Sequence, residues 1–423
     1  MASAAIIGAG AAGCFCAAVL REVCPELSVT VFEAHDKPLA KVAITGGGRC
    51  NLTNSFEGIR SLSEAYPRGE RLMKRALKQF SQADCVEWFQ SRGVPLVLQD
   101  DHCYFPVSQD AMDVVRCLLR AMKGAELRLG TKVEDVRRFP ALRQAQGPTQ
   151  GPPGMTATSS CPAATGHLMV NGESFDFVVV TTGGATKGLP FLESFELEMV
   201  PPVPSLFTLN IPDPSLKALM GLVTNSRISL QGTPFKAEGQ LLITDWGLSG
   251  PATLKLSSYA ARHLAENGYK GTISINWLCS NEESVKEQLQ LLSRDNVKKQ
   301  LSSTPLLPSR LWAHILSKSG IREDLRWGEI GTKGFNRLVA TLTNDCYPVS
   351  GKSRFREEFV TAGGVALSNI DLNTLECKKH PGLYFAGEVL DIDAITGGFN
   401  LQAAWTTGYI CAMSIAHKLH SAV

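Results

Sequence analysis

The sequence predicts an α/β protein in which a parallel sheet is interrupted by an inserted domain. Residues 4–33 have the pattern of an apolar strand, a glycine turn, a helix of small residues and a second strand, which is a βαβ unit. Residues 175–180 (FDFVVV) form a continuous apolar run, typical of a strand buried on both faces of a sheet. Short apolar strands return at 360–365 and 383–386, after a long stretch in which strand and helix patterns alternate. The first sheet is therefore expected to resume near the C-terminus.

These patterns predict two domains, which suits a length of 423 residues at roughly 150 residues per domain. We expect a first domain made of residues 1–190 and 346–423, and an inserted β-rich domain over residues 191–345. Residues 140–166 are rich in Pro, Gly, Gln, Ser and Thr, so they hold little apolar surface to offset the entropy of ordering. We predict a mobile excursion between two strands there.

The composition is that of a globular protein, with 44% apolar and 19% charged residues. The formal net charge is +2, so no overall field favours nucleic acid or an anionic membrane, and a small-molecule substrate is expected. Twelve cysteines are scattered without Cys-x-x-Cys spacing, which favours a reducing, cytoplasmic compartment and gives no support for a metal site. No uninterrupted apolar run reaches the length of a membrane span, and no pattern predicts the oligomeric state.

The first motif is Gly8-x-Gly10-x-x-Gly13, between the first strand and the first helix. Gly8 permits the tight turn, Gly10 lets the backbone approach a pyrophosphate, and Gly13 lets the helix pack close to the sheet. The helix N-terminus offers free N–H groups to an anion. Glu33 ends the second strand twenty residues after Gly13, where a carboxylate can bind a ribose hydroxyl. The spacing predicts a Rossmann-like dinucleotide site, and a glycine-rich packing turn is the alternative.

A second motif, near the C-terminus, favours FAD over NAD. Gly387 and Glu388 follow the apolar strand at 383–386, and residues 396–400 (TGGFN) open the last helix. A carboxylate just past a strand can bind the ribityl hydroxyls of a flavin. The helix N-terminus can face the flavin N1/O2 edge, which becomes negative on reduction. A surface turn before an ordinary helix is the alternative.

The third motif is a glycine-rich loop at 41–54, KVAITGGGRCNLTN. Its three consecutive glycines leave a bare backbone that can lie against a ring or a phosphate, and Lys41 and Arg49 can supply cations for a pyrophosphate. A flexible loop without a ligand is the alternative. Cys50 follows Arg49, but no second cysteine stands five residues away, as in the dithiol of disulfide reductases. A packing role for Cys50 is therefore favoured.

These segments resemble a known family, the BaiN-like and aminoacetone oxidase-like flavoproteins, which are NAD(P)/FAD-dependent oxidoreductases. The matching segments are IIGAGAAG at 6–13, KVAITGGGRCNLTN at 41–54, TDWGLSGPATLKLSS at 244–258 and PGLYFAGEVLDIDAITGGFNLQAAWTTGY at 381–409. The resemblance implies a Rossmann-like FAD-binding domain interrupted by a β-rich domain with a small helical subdomain. The motifs and the resemblance together predict the FAD-binding residues, which are Gly8, Gly10, Ala12, Gly13, Glu33, Ala34, Lys41, Gly46, Gly47, Gly48, Arg49, Val133, Thr182, Gly183, Gly387, Glu388, Thr396, Gly397, Gly398, Phe399 and Asn400.

The expected function is that of a soluble FAD-dependent oxidoreductase that passes a hydride between flavin N5 and a small organic substrate or NAD(P)H. A reductase that uses NAD(P)H and an oxidase that acts on an amine such as aminoacetone both fit. The chain has one complete Gly-x-Gly-x-x-Gly, so NAD(P)H would bind transiently rather than in a second Rossmann domain. A flavin-binding sensor or regulatory protein without turnover is the alternative. No pattern assigns a catalytic side chain or a metal ligand.

Overall fold

The computed structural model describes residues 2–139, 167–184, 188–353 and 360–421. The predicted excursion at 140–166 lies outside the described residues.

The chain divides into two compact units. The first unit comprises Met1–Pro202, Gly363–Asp393 and Gly397–Val423, and the second comprises Val203–Ala362 and Ala394–Thr396. The domain bounds that the sequence predicts, 1–190 with 346–423 and 191–345, stay predictions.

Elements of the first unit begin the chain. In chain order they are β1 (Ser3–Ile7), α1 (Ala11–Val23), β2 (Ser28–Phe32), α2 (Ala40–Ile44), β3 (Thr53–Asn54), α3 (Leu62–Ala65), α4 (Glu70–Ala76), α5 (Gln82–Gln90), β4 (Leu96–Leu98), β5 (Cys103–Pro106), α6 (Ala111–Ala121), β6 (Glu126–Arg128), β7 (Val136–Arg138), β8 (Leu168–Val170), β9 (Glu173–Phe175), β10 (Phe177–Val180) and β11 (Met199–Ser205).

The second unit follows, and the chain then returns to the first. The remaining elements are β12 (Leu209–Asn210), α7 (Pro214–Lys217), β13 (Val223–Leu230), β14 (Lys236–Ile243), β15 (Gly247–Ser249), α8 (Gly250–Tyr259), α9 (Ala261–Glu266), β16 (Gly271–Asn276), α10 (Glu282–Asp295), α11 (Ser309–Lys318), α12 (Gly331–Thr343), β17 (Asp345–Val349), β18 (Gly351–Lys352), β19 (Val360–Val365), β20 (Leu383–Phe385) and α13 (Phe399–Ser421).

A parallel sheet forms the core of the first unit. Over the described residues its strand order is β20-β10-β1-β2-β6, and each neighbouring pair is parallel. The central strand β1 buries Ala4 to Ile7, and β10 buries Val178 to Val180, because helices cover both faces of such a sheet. The predicted α/β fold with a Rossmann-like parallel sheet is confirmed, and β20 is the strand that rejoins this sheet from the C-terminal part of the chain.

Helices α1 and α13 pack closely in the first unit. Their backbones approach so closely at Gly408 that a Cβ atom there would lie 2.6 Å from the carbonyl oxygen of Ala12. Small residues at the contact permit this distance. The buried part of α1 consists mainly of Ala, Gly, Cys and Val, which explains the pattern of small residues seen in the sequence.

The second unit is built on an antiparallel sheet with the order β17-β16-β13-β14-β15-β12-β18 in the part of the chain that the structure describes. Apolar residues of its strands lie on the buried face and alternate with more exposed polar ones, as when Ile228 and Leu230 of β13 are buried and Ser229 between them is not. Helices α10 and α11 each pack against α12, and the buried side chains of Trp312 on α11 and Trp327 just before α12 belong to the same core. Among the described helices, none combines the length and the apolar character needed to cross a membrane.

Candidate functional site

The turn between β1 and α1 is shaped by close backbone contacts. Gly8 has a φ of +108°, and a Cβ atom on it would lie 2.6 Å from the carbonyl oxygen of Thr181. A Cβ atom on Gly13 would lie 2.0 Å from the carbonyl oxygen of Gly8. No side chain larger than hydrogen fits at either position. Gly10 instead faces open space and caps the N-terminus of α1, so it leaves the backbone accessible to a ligand.

The Glu33 carboxylate lies against this turn. Its Oε2 accepts a hydrogen bond from the Ala9 backbone N–H (2.9 Å), and its Oε1 accepts one from the His35 N–H (3.0 Å). The carboxylate is therefore held at the end of β2 with lone pairs left over for a ligand. Ala34 is exposed beside it, while Val133 is buried, two residues after Thr131, whose N–H donates to the Glu33 carbonyl (2.7 Å).

The C-terminal motif lies beside the N-terminal one. A Cβ atom on Gly387 would lie 3.0 Å from the Cβ of Ala12. The Gly387 N–H donates to the buried Thr407 Oγ1 of α13 (2.8 Å), whose hydroxyl in turn donates to the Ala403 carbonyl. This hydrogen-bond chain fixes the 387–388 turn on α13. The structure thus places the C-terminal motif next to the glycine turn of the N-terminal motif.

Glu388 and Lys41 form an ion pair at this place. Lys41 Nζ lies 3.4 Å from Glu388 Oε2, with the lysine mostly exposed and the carboxylate mostly covered. A Cβ atom on Gly183 would lie 3.7 Å from the same carboxylate oxygen, and Thr182 is exposed next to it. The third motif and the segment after β10 therefore both reach the C-terminal motif.

The triple-glycine loop has two different sides. Gly46 packs inward, since a Cβ atom on it would lie 3.0 Å from the Asn51 backbone nitrogen, whereas Gly47 and Gly48 face open space. The exposed Arg49 guanidinium lies 4.5 Å from the ring centroid of Phe105, and its Nε donates to the Gly46 carbonyl (3.2 Å). The loop thus presents bare backbone and one cation to the outside.

The start of α13 is clamped by the end of the same loop. A Cβ atom on Gly398 would lie 2.6 Å from both the Thr53 carbonyl oxygen and Asn51 Oδ1. The Asn54 side-chain amide donates to the Gly397 carbonyl (3.0 Å). Phe399 and Asn400 form the first turn of α13, while Thr396 falls in the second unit.

Two further contacts on the first unit were not predicted from the sequence. Arg68 and Asp393 form a buried bidentate ion pair, with Arg68 Nε 2.5 Å from Asp393 Oδ1. The Tyr66 hydroxyl donates to the Phe399 carbonyl (2.9 Å). Both contacts join residues more than 300 positions apart in the chain, so no local pattern could indicate them.

Cys50 is fully buried within the third motif. Burial raises the pKa of its thiol to about 12 because the thiolate would lose its hydration. The thiol is therefore protonated at neutral pH, which is consistent with the packing role that the sequence favoured.

One group outside the motifs has metal-ligating atoms close together. In the described part of the chain, the ligand atoms of Cys24, Glu26 and His420 lie within 4.8 Å of one another. Cys24 caps the C-terminal end of α1 and His420 lies near the end of α13, so the sequence spacing could not indicate this group.

The residues of the motifs fit a dinucleotide such as FAD. Gly10, Gly47 and Gly48 present backbone to open space, where a bulky planar or phosphate group could approach. Asn51 Oδ1 is buried and has no hydrogen-bond partner among the described residues, so it offers an acceptor to a ligand. Glu33 and Glu388 add carboxylates for hydroxyl groups, and the N-termini of α1 and α13 add N–H donors.

Comparison with known proteins also indicates a Rossmann domain. A family profile described as the HI0933-like protein Rossmann domain matches residues 2–414. The chain is 31% identical over 425 residues to a ribosomal RNA dihydrouridine synthase of Escherichia coli, with 97% of each chain covered. It is 30% identical over 421 residues to the protein of the same name from Haemophilus influenzae, with 98% of each covered. It is 27% identical over 438 residues to a 3-dehydro-bile acid delta(4,6)-reductase of Clostridium scindens, with 98% of each covered.

Proposed function

The chain belongs to the HI0933-like Rossmann family of FAD-dependent oxidoreductases, and we propose that it reduces a carbon–carbon double bond of uridine in ribosomal RNA. We infer this substrate from the match to two ribosomal RNA dihydrouridine synthases over nearly the whole of each chain. Dihydrouridine is uridine with one ring double bond saturated, so the reaction adds a hydride and a proton.

The direction of electron flow that we propose is reductive. A dihydrouridine synthase and a delta(4,6)-reductase both saturate carbon–carbon double bonds, although their substrates differ greatly in size. The common chemistry supports a reductase over the amine oxidase that the sequence left open. Bound FAD would supply the hydride, and NAD(P)H, bound transiently, is the donor that we propose for the flavin.

The chain's own residues would hold and orient the cofactor. Glu33, fixed by the Ala9 and His35 N–H groups, would bind the ribose, and the bare backbone of Gly10 would face the pyrophosphate. The first turn of α13 would direct N–H groups toward the flavin, and the Tyr66 and Asn54 contacts keep this turn in position. The remaining residues predicted above to contact FAD stay part of this proposal.

An RNA substrate departs from the expectation of a small molecule and no nucleic acid. That expectation rested on a net charge of +2, which describes the sum of all charges and not their distribution. A small enone of the bile-acid type is the second candidate, because the relative of 27% identity is named for such a substrate.

The experiment is complementation of an Escherichia coli strain that lacks its dihydrouridine synthase relative. We expect expression of this protein to restore dihydrouridine in ribosomal RNA, measured as a gain of two hydrogens by mass spectrometry of the nucleosides. The purified yellow protein with NADPH should do the same to RNA from that strain under anaerobic conditions. No dihydrouridine, together with rapid reduction of a 3-oxo-steroid double bond, would favour the second candidate. Flavin bleaching by an amine but not by NADPH would reject the reductive direction.

A further inference from the structure

Helix α4 carries a row of basic side chains that the cofactor motifs do not use. Arg71, Lys74, Arg75 and Lys78 have the spacing i, i+3, i+4 and i+7, which places them on one face of a helix. The backbone continues to coil past the end of α4, since the Phe80 N–H donates to the Ala76 carbonyl (3.1 Å). We call these four residues the basic stripe. It spans roughly 10 Å at the helical rise of about 1.5 Å per residue.

The basic stripe is exposed and lacks acidic partners. All four side chains belong to exposed residues. Within the described residues, none of the four forms an ion pair or a side-chain hydrogen bond. Arg71 and Arg75, like Lys74 and Lys78, are like charges four residues apart, which destabilises an isolated helix by about 0.2–0.5 kcal/mol per pair. Such an arrangement is stabilised when an anionic partner lies across it.

The other face of α4 fixes the basic stripe beside the C-terminal motif. Leu72, Met73 and Ala76 are buried. Just before the helix, a Cβ atom on Gly69 would lie 2.7 Å from Ile392, and Arg68 is paired with Asp393. The stripe is therefore attached to the loop that leads into α13, where the flavin end of the cofactor is proposed to lie.

We propose that the basic stripe binds the phosphodiester backbone of the RNA substrate. This inference rests on the proposed function and adds the surface by which that substrate is held. Unpaired Lys and Arg side chains at helical spacing match a chain of phosphates, and phosphate contacts position an RNA without reading its sequence. A membrane surface fits less well, because residues 70–79 include none of the exposed large apolar side chains that would enter a bilayer.

The test compares two variants with the same change in net charge. R71Q/K74Q/R75Q removes three cations of the stripe. R120Q/K123Q/K379Q removes three exposed cations of the same unit that form no ion pair with any residue that the structure describes. They lie on α6, just after it and before β20. Filter binding of purified ribosomal RNA to each holoprotein is measured against salt concentration. Flavin absorbance and the thermal midpoint verify that both variants are folded.

The plot of log affinity against log salt concentration has a negative slope, to which each phosphate contact contributes about 0.7 for single strands. Because the stripe variant lacks three cations, we expect the magnitude of its slope to be smaller by about two. At about 0.1 M salt this corresponds to a loss of roughly a hundredfold in affinity. The control variant should keep the slope and the affinity of the wild type.

Three results would overturn the assignment of the stripe. The first is an unchanged salt slope in the stripe variant, and the second is an equal loss of RNA affinity in both variants. The third is that the stripe variant loses binding to anionic vesicles but keeps its binding to RNA. The failure of the proposed function is recognised separately, because it would appear as a wild-type protein that forms no dihydrouridine. A stripe variant with full RNA affinity, beside an active wild type, would reject only the stripe.

Discussion

Replacing Gly398 by alanine tests how the third motif holds the start of α13. The new Cβ atom would lie 2.6 Å from the Thr53 carbonyl oxygen and from Asn51 Oδ1, and the residue has a φ of +85°. The left-handed backbone costs an alanine about 1–2 kcal/mol. Overpacking against a carbonyl adds roughly 1–3 kcal/mol, since the backbone must shift. We therefore expect the G398A substitution to destabilise the folded start of α13, within the proposed cofactor site, by about 2–5 kcal/mol.

A matched control separates the two causes. Gly172, in the turn between β8 and β9, has a φ of +87°, and a Cβ atom there would meet nothing within 4 Å. G172A therefore has the same backbone cost without the overlap. Flavin fluorescence during titration of flavin-free protein with FAD gives the affinities. We expect G398A to bind FAD at least about tenfold more weakly, where tenfold corresponds to about 1.4 kcal/mol, and G172A to bind like the wild type. Equal FAD affinity in the two variants would refute the clamp between residues 51–54 and α13.

Three further changes give distinct results. Thr407→Val leaves the buried Gly387 N–H without an acceptor, so urea unfolding should show a loss of about 1–3 kcal/mol, and Thr407→Ser should restore most of it. Arg68→Ala removes the cation of the buried ion pair with Asp393, which should cost about 3–5 kcal/mol at neutral pH by the same measurement. An Arg68→Ala protein as stable as the wild type would contradict a stabilising role for this pair. Cys50→Ala should keep bound FAD and turnover, with no change in the pH–rate profile near neutrality, because the pKa of this thiol is raised to about 12; a lost ionisation near neutral pH would assign the thiol a chemical role.

Local patterns predicted the cofactor motifs because each depends on a few neighbouring residues. The glycine spacing at 8–13 and the apolar strands at 175–180 and 383–386 predicted the parallel sheet, which the structure confirms. The resemblance to BaiN-like flavoproteins is confirmed by the family profile and by the bile-acid reductase relative. The residues predicted to contact FAD stay predictions, although the structure places the N-terminal and C-terminal motifs side by side.

The contacts that sequence analysis missed are those between distant segments. Arg68 and Asp393 are 325 residues apart, and neither stands in a glycine motif that would draw attention to it. The basic stripe was missed for another reason. Its cations are separated by apolar residues such as Leu72 and Met73, so they form no continuous basic run, and only the helical period brings them to one face. Net charge also conceals them, because acidic residues elsewhere balance the sum.

Crystallography of the protein soaked with FAD is the most direct test of the central claim, that glycine motifs from both ends of the chain bind one cofactor. The account predicts density for a single FAD whose adenosine half contacts Gly10 and Glu33 and whose flavin half contacts the first turn of α13. A structure in which FAD touches only one of the two motifs, or binds elsewhere on the chain, would contradict it.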